Sequence, residues 1–235
     1  QKVYKRLVNA CARAREEGWF GMELLVDRTR VVGLSNATMY DVDVDAGEDF
    51  ARDQIGGVVN TALEAHRWFG QPKHVSVWVE KEALVGVFER PCARQRVGLF
   101  ACKGYPSVSA LWQWLKGLEE AHRAAYGHRD DLPEDLDWSE VATEAVVLYF
   151  GDHDPEGWNI PESAEANLNL YARVHGLDVP PIRFKRVALN MDQILEHNPP
   201  PLAAKQSSSR FDQYVERRGT SEAWELDALS PDVLS

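Results

Sequence analysis

The chain has 235 residues, 44% of them apolar and 27% charged, enough to bury a core as one large domain or one and a half smaller ones. Its net charge of −11 argues against a surface coated in basic residues for unspecific DNA binding, although a bound divalent ion offsets acidic charge locally. No apolar run approaches membrane-spanning length and no signal-peptide pattern opens the chain, so no membrane partner is expected; three cysteines (Cys11, Cys92, Cys102) without C-x-x-C spacing argue against structural zinc and for a reducing, cytoplasmic setting.

Val3, Leu7, Val8, Cys11 and Ala14 recur at helical spacing, so a helix is expected over residues 3–17, ended by Gly18. A second short helix is expected at 21–26, followed by the basic Asp27-Arg28-Thr29-Arg30 segment. This pattern suits a helix-turn-helix unit and equally a plain two-helix cap. Asp41-Val42-Asp43-Val44-Asp45 imitates the start of a calcium loop, but Ala46 stands where Gly is needed and Arg52 where a bidentate Glu is needed. It reads as an acidic loop. A helix over 50–69 then ends at Gly70 and Pro72.

From Lys73 the texture changes to alternating strands and helices, the signature of a parallel sheet with crossover helices. Strands are expected at about 74–79, 96–101, 145–150 and 182–189, with helices on both faces. Helices are expected at about 82–89, from a Ser107 cap through Val108, Leu111, Leu115 and Leu118, and at about 162–174. Residues 128–140 are charged and contain Pro133, which makes them a surface excursion. Pro199-Pro200-Pro201, a polar 205–210 stretch, a short helix and Trp224-Glu225-Leu226-Asp227 follow. Two parts are therefore expected: a helical segment over 1–72, and an α/β domain with a C-terminal extension over 73–235. The clusters Lys2, Lys5, Arg6, Arg13, Arg15 and Arg183, Lys185, Arg186 read as solvated faces, and Trp112 and Trp114 as core and partial surface. The histidines are scattered, and only His153 is a metal-ligand candidate, by position alone.

The chemistry is expected at the end of the third strand. Val146-Val147-Leu148-Tyr149-Phe150 is a short apolar run closed by Gly151, which reads as a strand buried on both faces. Asp152, Asp154 and Glu156 follow, with Pro155 and Gly157 turning the chain. Open α/β sheets bind ligands outside the carboxyl ends of their strands, and crowded carboxylates repel one another unless a cation neutralises them. All-oxygen ligands suit Mg²⁺ or Mn²⁺. Glu80 closes the first strand, so in a parallel sheet it meets Asp152 on the same edge. A carboxylate beside two that hold Mg²⁺ is what phosphoryl transfer needs: charge neutralisation on the phosphate, and a proton shuttle.

Val79-Glu80-Lys81 ending one strand and Asp152-His153-Asp154-Pro155-Glu156-Gly157 ending a later one resemble the paired motifs of the Toprim domain. They are most similar to the V-E-K and D-x-D-P-x-G forms of the A subunit of type IIB topoisomerases (topoisomerase VI) and its meiotic double-strand-break relatives. Gly104-Tyr105-Pro106-Ser107 sits where that family carries a Gly-containing loop, and the likeness covers about 73–189. The resemblance implies a Rossmann-like four-stranded parallel sheet, preceded by the tail of a winged-helix-like domain in 1–72. It implies Glu80 as general acid/base and candidate ligand, with Asp152 and Asp154 holding Mg²⁺ or Mn²⁺. Glu156 occupies a third acidic metal position that some Toprim enzymes use and topoisomerase VI does not. Lys81, Lys103 and Lys205 are implied phosphate contacts. Glu225 and Asp227 could bring a second metal, but read more simply as a helix-end ion pair.

The implied partners are DNA, a second copy of the chain and an ATPase subunit; the sequence alone does not separate DNA from RNA. The chain departs from topoisomerase VI in one respect: no tyrosine matches its nucleophile motif, since Tyr4 precedes Lys5-Arg6, Tyr105 is on a loop and Tyr149 is inside a strand. The expectation is a Mg²⁺-dependent, topoisomerase- or nuclease-like protein with water as nucleophile. Two other readings are a non-catalytic metal- and nucleic-acid-binding module, and a D-x-D nucleotide-sugar transferase, which leaves Glu80 unexplained. The start at Gln1 and the stop after Val233-Leu234 lead us to expect a piece of something longer.

Overall fold

The computed structural model describes residues 2–18, 73–126 and 144–234. The helices expected at 21–26 and 50–69, the acidic loop expected at 41–45 and the excursion expected at 128–140 lie outside the described residues, as does most of the 1–72 segment for which a winged-helix-like remnant is expected. The first helix, α1, spans Lys2–Glu16, and the chain leaves it through Gly18 at φ 77°, a left-handed conformation that Gly adopts without steric cost.

Four strands form one all-parallel sheet: β1 (Lys73–Val79), β2 (Gly98–Ala101), β3 (Glu144–Phe150) and β4 (Ile182–Ala188), in the order β2-β1-β3-β4. Val79 pairs with Ala101 on one side and Phe150 on the other, so three strands finish level at their carboxyl ends. Side chains alternate between two cores. Trp78, Phe100, Val147 and Tyr149 face one layer, built on α3 (Val108–Tyr126) and α4 (Pro155–Val174) through Leu111, Leu115, Ile160 and Leu168. Val77, Val79 and Leu99 face the other, under Phe88 and Cys92 of α2 (Val85–Gln95) and the C-terminal Trp224, Leu226 and Leu229. Trp78 stacks on Phe100 with ring centroids 4.1 Å apart. Burying each such aromatic contributes about 1.5–3 kcal/mol, so the strands are held chiefly by their two apolar faces.

Three boundaries differ from those expected. The helix after β1 continues past residue 89 to Gln95, through Pro91, after a short 3-10 turn at Glu82–Leu84. Arg96 then caps it at φ 54°, so β2 starts at Gly98 rather than at 96. Most consequential is α4, which starts at Pro155 rather than near 162, so Pro155 and Gly157 belong to its first turn and not to a free loop. The missing N–H of Pro155 falls where a helix has no partner for it, and its fixed φ suits the first helical position.

After β4 the chain forms α5 (Met191–His197), and then β5 (Leu202–Ala203), which pairs antiparallel with β6 (Glu222–Ala223) around α6 (Phe211–Arg218). A last turn, α7, spans Pro231–Leu234. Among the described residues no helix is long and apolar enough to cross a membrane.

Candidate catalytic site at the carboxyl edge of the sheet

Level strand ends bring Glu80 and Asp152 side by side. The Glu80 amide continues the ladder by donating to Phe150 O at 2.9 Å, which fixes its Cα next to the end of β3. Its Oε2 then accepts the Asp152 amide at 2.9 Å and the Tyr149 hydroxyl at 3.1 Å. Glu80 is only 9% exposed and Asp152 8%. Burial, and then the charge of Asp152, pushes the Glu80 carboxyl up to about 7, against the opposing pull of the Asp152 amide. Burial also raises the Asp152 carboxyl. A carboxyl that titrates near neutrality is matched to giving or taking a proton.

Glycine is required where this site is tightest. A Cβ at Gly151 would come within 2.5 Å of Glu80 Oε2 and of the Tyr149 side chain, and one at Gly157 would overlap the Asp152 carbonyl. Here the glycines serve close approach: the Glu80 carboxylate and the Tyr149 phenol fill the space beside Gly151, and the Asp152 backbone carbonyl fills that beside Gly157.

Asp152 is held from two directions. Its Oδ1 accepts the Leu226 amide at 2.8 Å, and its Oδ2 lies 3.3 Å from Lys81 Nζ. Lys81 also reaches Asp227 at 2.8 Å and Glu225 at 3.4 Å. Burial works against the Lys81 ammonium, but the hydrogen bond to Asp227 and the charge of Asp152 outweigh it and raise its pKa. Glu225 and Asp227 are thus ion-pair partners of Lys81. They are brought there by an antiparallel bridge between His153 and Trp224, with His153 N donating to Trp224 O at 2.8 Å.

Asp154 caps α4: its Oδ1 accepts the Gly157 amide at 2.6 Å. Glu156 is engaged elsewhere, with Oε1 accepting from Ser208 at 2.7 Å and Oε2 meeting Tyr105 Oη at 2.8 Å and Arg210 at 3.2 Å. Burial favours its neutral form, yet the hydrogen bonds from Ser208 and Tyr105 prevail and hold its pKa below the usual value. Lys205 is close enough for its charge to add to that effect. Lys103, on the loop after β2, pairs with Glu82 at 2.7 Å. The structure therefore brings Glu80, Asp152 and Lys81 together, with Asp154 at the adjoining helix start; Glu156 and Lys103 have partners of their own.

His153 is 1% exposed and boxed by Trp158, Tyr214 and Trp224. Its Nδ1 donates to Leu189 O at 3.0 Å, and burial lowers its pKa to about 4. Arg186, grouped by sequence with a solvated basic face, instead donates to the carbonyls of Gly151, Asp152 and Gly157, at 2.8 Å to the first and last. It clamps the turn that carries both aspartates. Of the tyrosines, Tyr149 is fully buried behind Glu80 and Tyr105 is tied to Glu156 and Asn159.

Among the described residues, no three His, Cys, Asp or Glu side chains form a ready-made cage for an ion. Mg²⁺ rarely uses such a cage; it takes one or two carboxylates, keeps several waters and completes its shell with substrate phosphates. Two buried carboxylates with a third at the next turn suit that ion. The Lys81 ammonium beside Asp152 marks where positive charge is already drawn in. No family model matches the chain, and no curated protein sequence matches it.

Proposed function

We propose that this chain is a Toprim-type protein that cleaves phosphodiester bonds in DNA with Mg²⁺ or Mn²⁺, using water as the nucleophile. The observation that carries this reading is the adjacency of Glu80 and Asp152 at the carboxyl ends of neighbouring parallel strands, joined by the Asp152 amide to Glu80 Oε2 at 2.9 Å. Asp152 and Asp154 would hold the ion, with Glu80 at its edge; when bound it offsets charge on the non-bridging phosphate oxygens. Glu80 takes a proton from the attacking water and returns one to the leaving oxygen. Lys81 draws the Asp152 carboxyl towards its ionised form, against the effect of its burial. Lys103, on the neighbouring loop, would give up Glu82 for a phosphate. Arg186 keeps the turn rigid, so the carboxylates need no rearrangement during the reaction.

Water is favoured over tyrosine because the Tyr149 hydroxyl is spent on Glu80 and that of Tyr105 on Glu156 and Asn159. A second reading, a binding module without catalysis, draws on the same ion pairs: Lys81 already neutralises part of the acidic cluster. The nucleotide-sugar transferase reading gives Glu80 no role.

The test is supercoiled DNA incubated with the protein and Mn²⁺, then denatured in detergent. Nicking without a covalent protein–DNA adduct is expected, falling by about 100-fold or more in Glu80→Gln and Asp152→Asn. An adduct would overturn the water mechanism. Absence of nicking would favour the binding module.

A further inference from the structure

A second feature lies on the same helix start and has no part in the proton chemistry. α4 and α6 flank a shallow, solvent-open cleft lined by Trp158, Asn159, Arg210, Gln213, Arg217 and Arg218, with Glu162 as the one acidic residue of that lining. In a chain of net charge −11, three arginines set against two carboxylates, Glu162 in the lining and Glu156 beside Arg210, leave the cleft locally basic.

The arginines are differently committed. Arg217 reaches Glu162 at 3.5 Å with both side chains half exposed, a contact that water screens and an incoming anion easily displaces. Arg210 shares Glu156 at 3.2 Å and lies over the Tyr105 ring. Arg218 has no ion-pair partner among the described residues. Its guanidinium rests 3.2 Å above the Trp158 ring centroid, and Arg186 also lies over that ring at 4.3 Å. Stacking holds a guanidinium in place while leaving its edge N–H groups free, and it is these that grip a phosphate in pairs. Asn159 and Gln213 add neutral hydrogen-bonding groups.

The cleft is also in register with the site. Trp158 lies one helical turn after Asp154, its amide bonded to the Asp154 carbonyl at 3.2 Å. The Trp158 ring on which Arg218 rests is therefore carried about 5.4 Å along the α4 axis from the Asp154 cap.

We propose that this cleft binds the phosphate backbone of a single nucleic-acid strand, holding it beside the Glu80–Asp152 edge. The identity of the ligand as a strand rests on the phosphodiester reading above. The cleft itself needs no metal, and that separates the two claims experimentally.

The experiment follows the anisotropy of a short fluorescein-labelled single-stranded DNA in EDTA, over a range of salt concentrations. The wild-type protein should bind. Combining Arg217→Gln with Arg218→Gln should weaken binding about tenfold, and the slope of log K against log salt should fall by roughly 0.7 per arginine removed. Arg218→Lys should restore the slope but not the full affinity, because an ammonium keeps the charge and loses the paired N–H groups. Arg183→Gln removes the same charge from an exposed site on β4 and should change nothing. Thermal melting checks that each variant is folded.

Unchanged affinity and slope in the folded double variant would overturn the proposal. So would absence of metal-free binding by the wild-type protein, or an equal loss in Arg183→Gln. Competition by inorganic phosphate as effective as that by the oligonucleotide would make the cleft a free-anion site and overturn the strand assignment. If metal-dependent nicking fails while the arginine-dependent binding holds, the catalytic reading falls and the cleft stands. The reverse outcome removes the cleft alone.

Discussion

Asp152 is where the site's polar contacts meet. Its amide serves Glu80, one carboxylate oxygen takes the Leu226 amide, the other faces Lys81, and its carbonyl accepts from Arg186. The spacing around it leaves no slack. Gly151→Ala should therefore push the Glu80 carboxylate aside and cost about 1–3 kcal/mol in urea unfolding, with weaker Mn²⁺ binding by calorimetry. A second residue-scale prediction concerns His74, 2% exposed and 3.0 Å from the His122 ring nitrogen. Burial, and then the charge of His122, lowers its pKa from 6.5 to about 4. The unfolded chain binds that proton first, so stability falls as pH drops from 6.5 towards 4, by up to about 3 kcal/mol, and levels off below. Unfolding titrations at pH 7 and 4.5 measure the drop, which His74→Asn should reduce. Glu80 and Asp152 were legible in the sequence because each ends an apolar strand. Arg186 was not, because it was grouped with Arg183 and Lys185, although strand alternation puts it on the side of Ile182 and Phe184. It pairs with Tyr149 at the last regular register position of β3 and β4, and from there its guanidinium reaches the aspartate turn.

Among the elements, α4 joins the candidate site and the arginine-lined cleft. Its N-cap is the second aspartate of the motif, and its first turn carries Glu156 and Trp158. Asp154→Ala should lower stability by about 1 kcal/mol through loss of the cap, whereas Asp154→Asn should leave stability nearly intact, since Asn caps as well. Both should weaken Mn²⁺ binding, so a comparison of melting with calorimetry separates the structural from the chemical role. The strands were readable from their apolar runs to within about two residues. The start of α4 was not, since Pro155 and Gly157 read as turn formers by composition. They are also residues a helix accepts in its first turn, and only the Asp154 cap decides between the two.

Across the whole molecule, the C-terminal extension closes the site. Leu226 is fully buried in the second core, and its amide holds Asp152 across 74 positions of chain. Leu226→Ala should cost about 2–5 kcal/mol in chemical denaturation and loosen Asp152 at the same time. A contact of that sequence separation leaves no periodic trace, so Trp224-Glu225-Leu226-Asp227 could be singled out in the sequence but not placed. The same return of the chain delivers Glu225 and Asp227 to Lys81, and the β5–β6 pair brackets the helix that carries Arg217 and Arg218.

The proposed chemistry requires the carboxyl edge of this sheet to hold a divalent ion between two strands. A crystal of the protein soaked in Mn²⁺ and measured at the manganese absorption edge tests it directly. One anomalous peak is expected within coordination distance of Asp152 and of Glu80 or Asp154, with waters completing the shell. An ordered edge with no peak, or a peak only at surface carboxylates elsewhere, would contradict it.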